Sequence, residues 1–171
     1  MTNFNEGGDT NFSFTLSLDA APRVMPTETD VFEVSVTYVD GRKSQAGNDM
    51  VYAELTVEKG LRTGSTYKGD RIKKYLVKPT AGMRGAKRIA QTWVDTLTGL
   101  GHPKLQVMER FGGVGAPITP EDFRDRGGCV EFSPPPPGEK YPEINFIPPS
   151  YAKALFAGEV KQDPLGKTAS V

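Results

Sequence analysis

The chain is poor in the residues that build metal centres and disulfide frameworks. Among 171 residues there is one cysteine, Cys129, and one histidine, His102. A lone cysteine excludes an intramolecular disulfide, and the two residues together cannot supply a His/Cys zinc site. His102 is followed by Pro103 and has no evident Ser or Cys partner, so nucleophilic catalysis lacks its parts. The glycine-rich run at 112–117, GGVGAP, lacks the Gly-Lys-Ser/Thr that cradles a nucleotide phosphate. No apolar run is long enough for a membrane span. The opening, MTNFNEGGDTNF, has no positive region followed by an apolar core. The expectation is no secretory signal, no cofactor, no membrane contact, and a non-enzymatic protein of a reducing cytoplasm.

What the chain does have is a segregated charge. The formal total is zero, yet residues 59–88 carry ten Lys or Arg against one acid, Asp70, a local charge of +9. Residues 1–58 carry −7 and residues 89–171 carry −2. Such a block calls for a polyanionic partner, although a solvated face is the plainer alternative. Tyr67 and Tyr75 lie inside the block and Tyr52 just before it. Cations that follow phosphates, interleaved with flat rings that stack on bases, are the chemistry of a single-stranded nucleic-acid groove.

Fourteen Pro and nineteen Gly favour many turns and short β elements. Residues 31–39 alternate with period two: Phe32, Val34, Val36 and Tyr38 on one face, Glu33, Ser35 and Thr37 on the other. Tyr38 and Phe32 are therefore expected in the core. Asp40-Gly41 signals a turn, with a polar loop over 42–49. A second strand follows over 50–58, with Val51, Ala53, Leu55 and Val57 inward and Met50, Tyr52, Glu54, Thr56 and Glu58 outward. A noisier third strand spans 65–77. Over 86–100, Ile89, Trp93, Val94, Leu97 and Leu100 form one apolar helical stripe, so Trp93 is expected in the core. Residues 102–127 read as an insertion with a capped turn at 119–123, and two short strands follow at 129–132 and 144–147. Alternation at Phe12, Phe14, Leu16 and Leu18 fits either a short strand or an extended tail.

The order strand, strand, strand, helix, strand, strand predicts a mostly β fold. It is that of a five-stranded oligonucleotide/oligosaccharide-binding (OB) barrel with one helix between strands three and four. The expected organisation is an N-terminal arm over 1–30, the OB domain over 31–150 and a C-terminal tail over 151–171.

The residues then resemble a known family. VFEVSVTYVDGRKSQAGNDMVYAELTVEKG is similar to its first hairpin; YKGDRIKKYL with the helix AKRIAQTWVDTLTGLG, and GGCVEF with YPEINFI beyond a Pro-rich loop, complete the likeness. The family is that of the small phage-encoded single-stranded-DNA-binding proteins of OB fold that accompany replication and recombination genes. The resemblance implies single-stranded DNA bound with little sequence preference in a host-cell cytoplasm. Other replication or recombination proteins are further partners it implies, and self-association is left open. One departure is the C-terminus, QDPLGKTASV, whose only acid is Asp163; many such proteins end in an acidic tail that recruits partners.

The candidate nucleic-acid-binding residues are Lys68, Arg71, Lys73, Lys74, Lys78, Arg84, Lys87 and Arg88 of the basic block, Arg42 and Lys43 in the hairpin loop, and Tyr52 and Tyr75 for stacking. Tyrosines in those positions can equally be half-buried lids. Phe111, flanked by glycine, is a weaker stacking candidate. The alternatives are a virion structural or adaptor protein and a metal-dependent nuclease using Glu121, Asp122 and Asp125.

Overall fold

Period-two alternation of apolar residues builds the long hairpin at the centre of the molecule. The computed structural model describes residues 24–161, so the alternation at 12–18 and the last residues of the tail lie outside it. Five strands form one antiparallel sheet: β1 (Asp30–Lys43), β2 (Asp49–Gly60), β3 (Arg71–Val77), β4 (Gly127–Ser133) and β5 (Glu143–Phe146). Their spatial order is β3-β2-β1-β4-β5. Among the described residues the helices are α1 (Ala86–Gly99), α2 (Lys104–Phe111) and α3 (Pro149–Phe156), with a 3-10 turn at Pro120–Asp122. The sheet curls into a half-barrel around a core that includes Phe32, Val34, Leu55, Ile72, Leu97 and Phe132. The mostly β composition and the five antiparallel strands follow the sequence pattern, whereas two helices, α1 and α2, and the 3-10 turn separate β3 from β4 where a single helix was expected.

The hairpin departs from that pattern in two ways. Asp40-Gly41 is no turn: β1 runs on to Lys43, Gly41 pairs with Val51, and residues 44–48 make the reversal. Hydrogen bonds from Asn48 N–H to Ser44 Oγ (3.1 Å) and from Ser44 N–H to the Asn48 carbonyl (2.8 Å) close it. The second departure is a bulge. Val36 pairs with Leu55 but Tyr38 pairs with Glu54, so two residues of β1 advance against one of β2. Thr37 and Tyr38 both face solvent, and alternation resumes inverted with Val39 in the core. Tyr38 is therefore 47 % exposed rather than buried as expected. Phe32, before the bulge, stays in the core.

Strands β3 and β5 are the two ends of the sheet and do not pair with each other. Three contacts draw them together. The Lys74 ammonium donates to the Ile144 carbonyl at 2.9 Å across the gap. Trp93 of α1, buried as its stripe predicted, donates its indole N–H to the Val77 carbonyl at 2.8 Å. At the other end of α1, Gly99 lies so close to β5 that a Cβ would fall 2.7 Å from Phe146 Cβ. Gly128 of β4 likewise admits no side chain, because a Cβ there would sit 2.5 Å from the Gly99 carbonyl oxygen. These two glycines let helix and sheet backbones touch.

The folded body extends beyond the expected OB boundaries at both ends. Pro26 is fully buried and Asp30, almost fully so, anchors the β2–β3 connection. Its carboxylate accepts from Thr63 Oγ1 (2.6 Å) and from the backbone N–H groups of Thr63 (2.9 Å), Val31 (2.8 Å) and Arg62 (3.1 Å). At the far end, α3 packs Tyr151, Ala152 and Leu155 on Val31, Cys129 and Ile147, so residues 149–156 belong to the body rather than to a tail. Burial, with Glu33 adding to it, pushes the free Cys129 thiol up from 9.0 to about 11.

Two outcomes follow. Asp30→Ala leaves one buried and three part-buried donors without their acceptor and is expected to cost about 3 kcal/mol in urea denaturation; a loss below about 1 kcal/mol would contradict the anchoring role. Cys129 should resist a thiol reagent at pH 8 in the native protein and react at once in urea. From pH 9 upward the unfolded chain ionises this thiol while the folded chain does not, so stability should fall between about pH 9 and 11.

Candidate nucleic-acid interface

The outward set of β2 and β3 falls where the alternation places it, and the bulge adds β1. Tyr38 of β1, Tyr52 of β2 and Tyr75 of β3 stand side by side, since Tyr52 is the register partner of Tyr75. Ring centroids are 6.1 Å apart for Tyr38–Tyr52 and 5.1 Å for Tyr52–Tyr75. Tyr141, just before β5, continues the row with its centroid 6.5 Å from that of Tyr75. Four tyrosines thus cross the outer face from β1 to the far side of the gap between β3 and β5.

They are not equivalent. Tyr52 is only 4 % exposed, because the Arg42 guanidinium lies 3.8 Å from its ring centroid and Tyr38 and Tyr75 flank it. Its phenol donates to Glu54 at 2.8 Å. Burial first and that carboxylate second push its pKa well above the ordinary tyrosine value. Tyr38 donates to Asp40 at 2.6 Å, which raises its pKa as well. Tyr38, Tyr75 and Tyr141 are open, at 47 %, 42 % and 69 % exposure, but the Tyr38 phenol is engaged by Asp40. Of the two tyrosines singled out from the sequence, Tyr75 therefore offers a free face, whereas Tyr52 is the covered centre of the row.

Charge divides the row in the same place. On the β1–β2 side, Asp40 binds Arg42 at 2.9 Å and holds the carboxyl below the usual range through the Tyr38 and Arg42 hydrogen bonds. Glu54 binds Arg71 at 2.7 Å. Lys43 pairs with Asp49. On the β3 side, Lys73 and Arg84 form no ion pair among the described residues. They line a groove of about 800 Å³ with Tyr75, Tyr141, Ile144 and the hairpin loop. Lys74 lies in that groove too, but on the inner parity of β3. Its ammonium is spent on Ile144, and burial lowers its pKa.

The remaining candidates are dispersed. Lys87 and Arg88 occupy the first turn of α1, whose N-terminus has no side-chain cap and no acid. Adjacent Ile89 lines the groove, but these two cations do not. Lys68 is exposed in the β2–β3 connection, at the opposite end of β3 from the hairpin loop. Lys78 and Lys43 face a second cleft of about 830 Å³ beyond the hairpin, together with Phe111 and Trp93. Phe111 packs edge-on to Trp93 at 6.4 Å and takes no part in the tyrosine row.

Tyr38 and Tyr141 are the members that sequence reasoning missed. A bulge hides Tyr38, and Tyr141 follows a proline-rich run with no period to read. Two of the three acids proposed as a nuclease site, Asp122 and Glu121, are otherwise engaged. Asp122 receives both Arg110 nitrogens at 2.9 and 2.7 Å and caps Thr119 N–H at 2.8 Å, forming the expected capped turn. Glu121 pairs with Arg124. In comparisons with known proteins, no family model and no curated protein matches this chain.

The geometry separates two tyrosines by experiment. Tyr52→Ala empties a covered position and is expected to cost about 3 kcal/mol of stability. Tyr75→Ala should stay within about 1 kcal/mol of the parent. Equal losses in urea denaturation would contradict the distinction drawn between the covered and the open ring.

Proposed function

We propose that this protein binds single-stranded nucleic acid, with little sequence preference, on the β3–β5 half of its outer face. The observation that carries the reading is the placement of two open rings, Tyr75 and Tyr141, along one groove with two cations, Lys73 and Arg84, that form no ion pair among the described residues. Bases of any sequence offer a π-face to stack on such rings, and phosphates are drawn to the cations.

The finer fold reading belongs to the same proposal. A spatial order β3-β2-β1-β4-β5 with β3 facing β5 is that of an OB barrel, in which the loops between strands one and two and between strands four and five border the ligand. The groove here is bordered by residues 44–48 and by Tyr141 and Pro142. The resemblance to phage single-stranded-DNA-binding proteins points the same way and supplies DNA, during replication or recombination, as the ligand and setting. Stacking and ion pairing need no catalytic group, so the reading is of a non-enzymatic binder.

The test is anisotropy titration of a labelled oligo-dT at several salt concentrations. Affinity should fall with salt, and Lys73→Gln or Arg84→Gln should each lower the slope of log K against log salt by about 0.7. Tyr75→Ala and Tyr141→Ala should each cost about 1–3 kcal/mol of affinity. Binding that is insensitive to salt and to both tyrosines would refute the proposal. Equal or tighter binding to duplex of the same length would move the assignment away from stacking.

A further inference from the structure

The second cleft, of about 830 Å³ beyond the end of the hairpin, has an apolar floor and fastened walls. Val51, Trp93, Phe111 and Ile118 line it, with Pro79, Pro117 and Pro120 around them. Val51 and Trp93 belong to the buried core, and Ile118 packs against it. Arg110 of α2 fixes the loop that walls the cleft. Its guanidinium donates to the carbonyls of Ala116 and Pro117, each at 2.9 Å, and binds Asp122 at 2.7 Å. The same loop reaches the hairpin at Pro120, where a Cβ on Gly41 would lie 3.8 Å from the proline Cγ. A cleft held in shape in this way lowers the ordering cost of binding.

Charge and an apolar ridge lead into it. At the rim, Lys43 and Lys78 act on Asp49: the hydrogen bond and charge of Lys43, then the charge of Lys78, hold its carboxyl below the usual range. Two ammoniums against one carboxylate leave this rim positive. The Lys43–Asp49 pair is exposed, so an incoming carboxylate that replaces Asp49 at Lys43 gives up little. On the other side, α2 packs through Val107 and turns Leu105 and Met108 to the surface. These two and Phe111 recur every third residue, so they adjoin along the helix and end in the cleft. Exposed apolar surface rimmed by charge marks an interaction site.

The chemistry of the floor favours a peptide over a nucleotide. A base buried here would set its polar edge against Val, Ile and Pro side chains without a matching hydrogen bond. The Trp93 N–H is already given to Val77 and the Arg110 guanidinium to the loop and Asp122. An apolar side chain asks for no such partner. We propose that this cleft docks an acidic peptide segment of a partner protein. One bulky apolar side chain of that segment lies on Phe111 and Ile118, its neighbours follow the α2 ridge, and flanking carboxylates meet Lys43 and Lys78. Buried apolar anchors of this kind carry most of the energy of a peptide interface. The site is separate from the nucleic-acid reading, whose groove uses Lys73 and Arg84.

Trp93 is the chain's only tryptophan, so its selectively excited fluorescence in the full chain reports from the floor of the cleft. The probe is the peptide Glu-Asp-Leu-Phe-Glu-Asp-Gly, titrated at low salt. A saturable change is expected, and none with peptides in which Ser-Ser replaces Leu-Phe or lysines replace the acids. Phe111→Ala should weaken binding about tenfold. Lys78→Gln and Leu105→Ser, both surface changes, should each weaken it about threefold, while Lys73→Gln leaves it unchanged. The absence of a saturable change, or one affinity across the parent and these three cleft variants, would overturn the proposal. Oligo-dT that displaces the peptide as strongly from Lys73→Gln as from the parent would also overturn it, assigning the cleft to nucleic acid.

Discussion

The outer face of this molecule depends on one extra residue in β1. Without the bulge between Val36 and Tyr38, strict alternation would turn Tyr38 into the core and Val39 out of it. With it, the first part of the strand packs Phe32, Val34 and Val36 inward and the second part presents Tyr38, Asp40 and Arg42 outward beside Tyr52. Arg42 then reaches across to cover the Tyr52 ring. A local backbone irregularity is thus what adds the fourth aromatic ring to a surface that would otherwise carry three.

Electrostatics decides which half of that row is available. A local +9 suggests one uniform basic patch, but folding distributes its members over four surroundings. Arg71 is neutralised by Glu54, Lys74 is committed to the Ile144 carbonyl, Lys68 and Lys78 face other parts of the surface, and Lys73 with Arg84 line the groove without an ion pair among the described residues. Exposed ion pairs contribute little to stability, so their effect is to remove positive charge from the β1–β2 side. Among the described residues, Tyr75 and Tyr141 are the open rings that share a groove with Lys73 and Arg84.

Much of the fold was legible in the sequence because burial imposes strict periods. Residues 50–58 alternate as read, and the stripe of Ile89, Trp93, Val94 and Leu97 gave α1 almost to the residue. The Thr119–Asp122 turn followed from its capping residues. What escaped the sequence has physical reasons. The Asp40-Gly41 pair reads as a turn only if side-chain partners are ignored; Tyr38 and Arg42 both bind Asp40 and hold the strand straight. Charge arithmetic could find the basic block but not the acids that would meet it across strands. Of the candidate site, Tyr75, Lys73 and Arg84 were readable from pattern and charge. The burial of Tyr52 and the arrival of Tyr141 arise from tertiary contacts that no local window contains.

The central claim is that ligand meets the β3–β5 half of the outer face. Amide and side-chain chemical-shift mapping of the labelled protein during titration with oligo-dT tests it most directly. The account predicts perturbations at Lys73, Tyr75, Arg84 and Tyr141, with Tyr52 moving less. Perturbations confined to the cleft of Lys78 and Phe111, or to Lys68 and its loop, would contradict it.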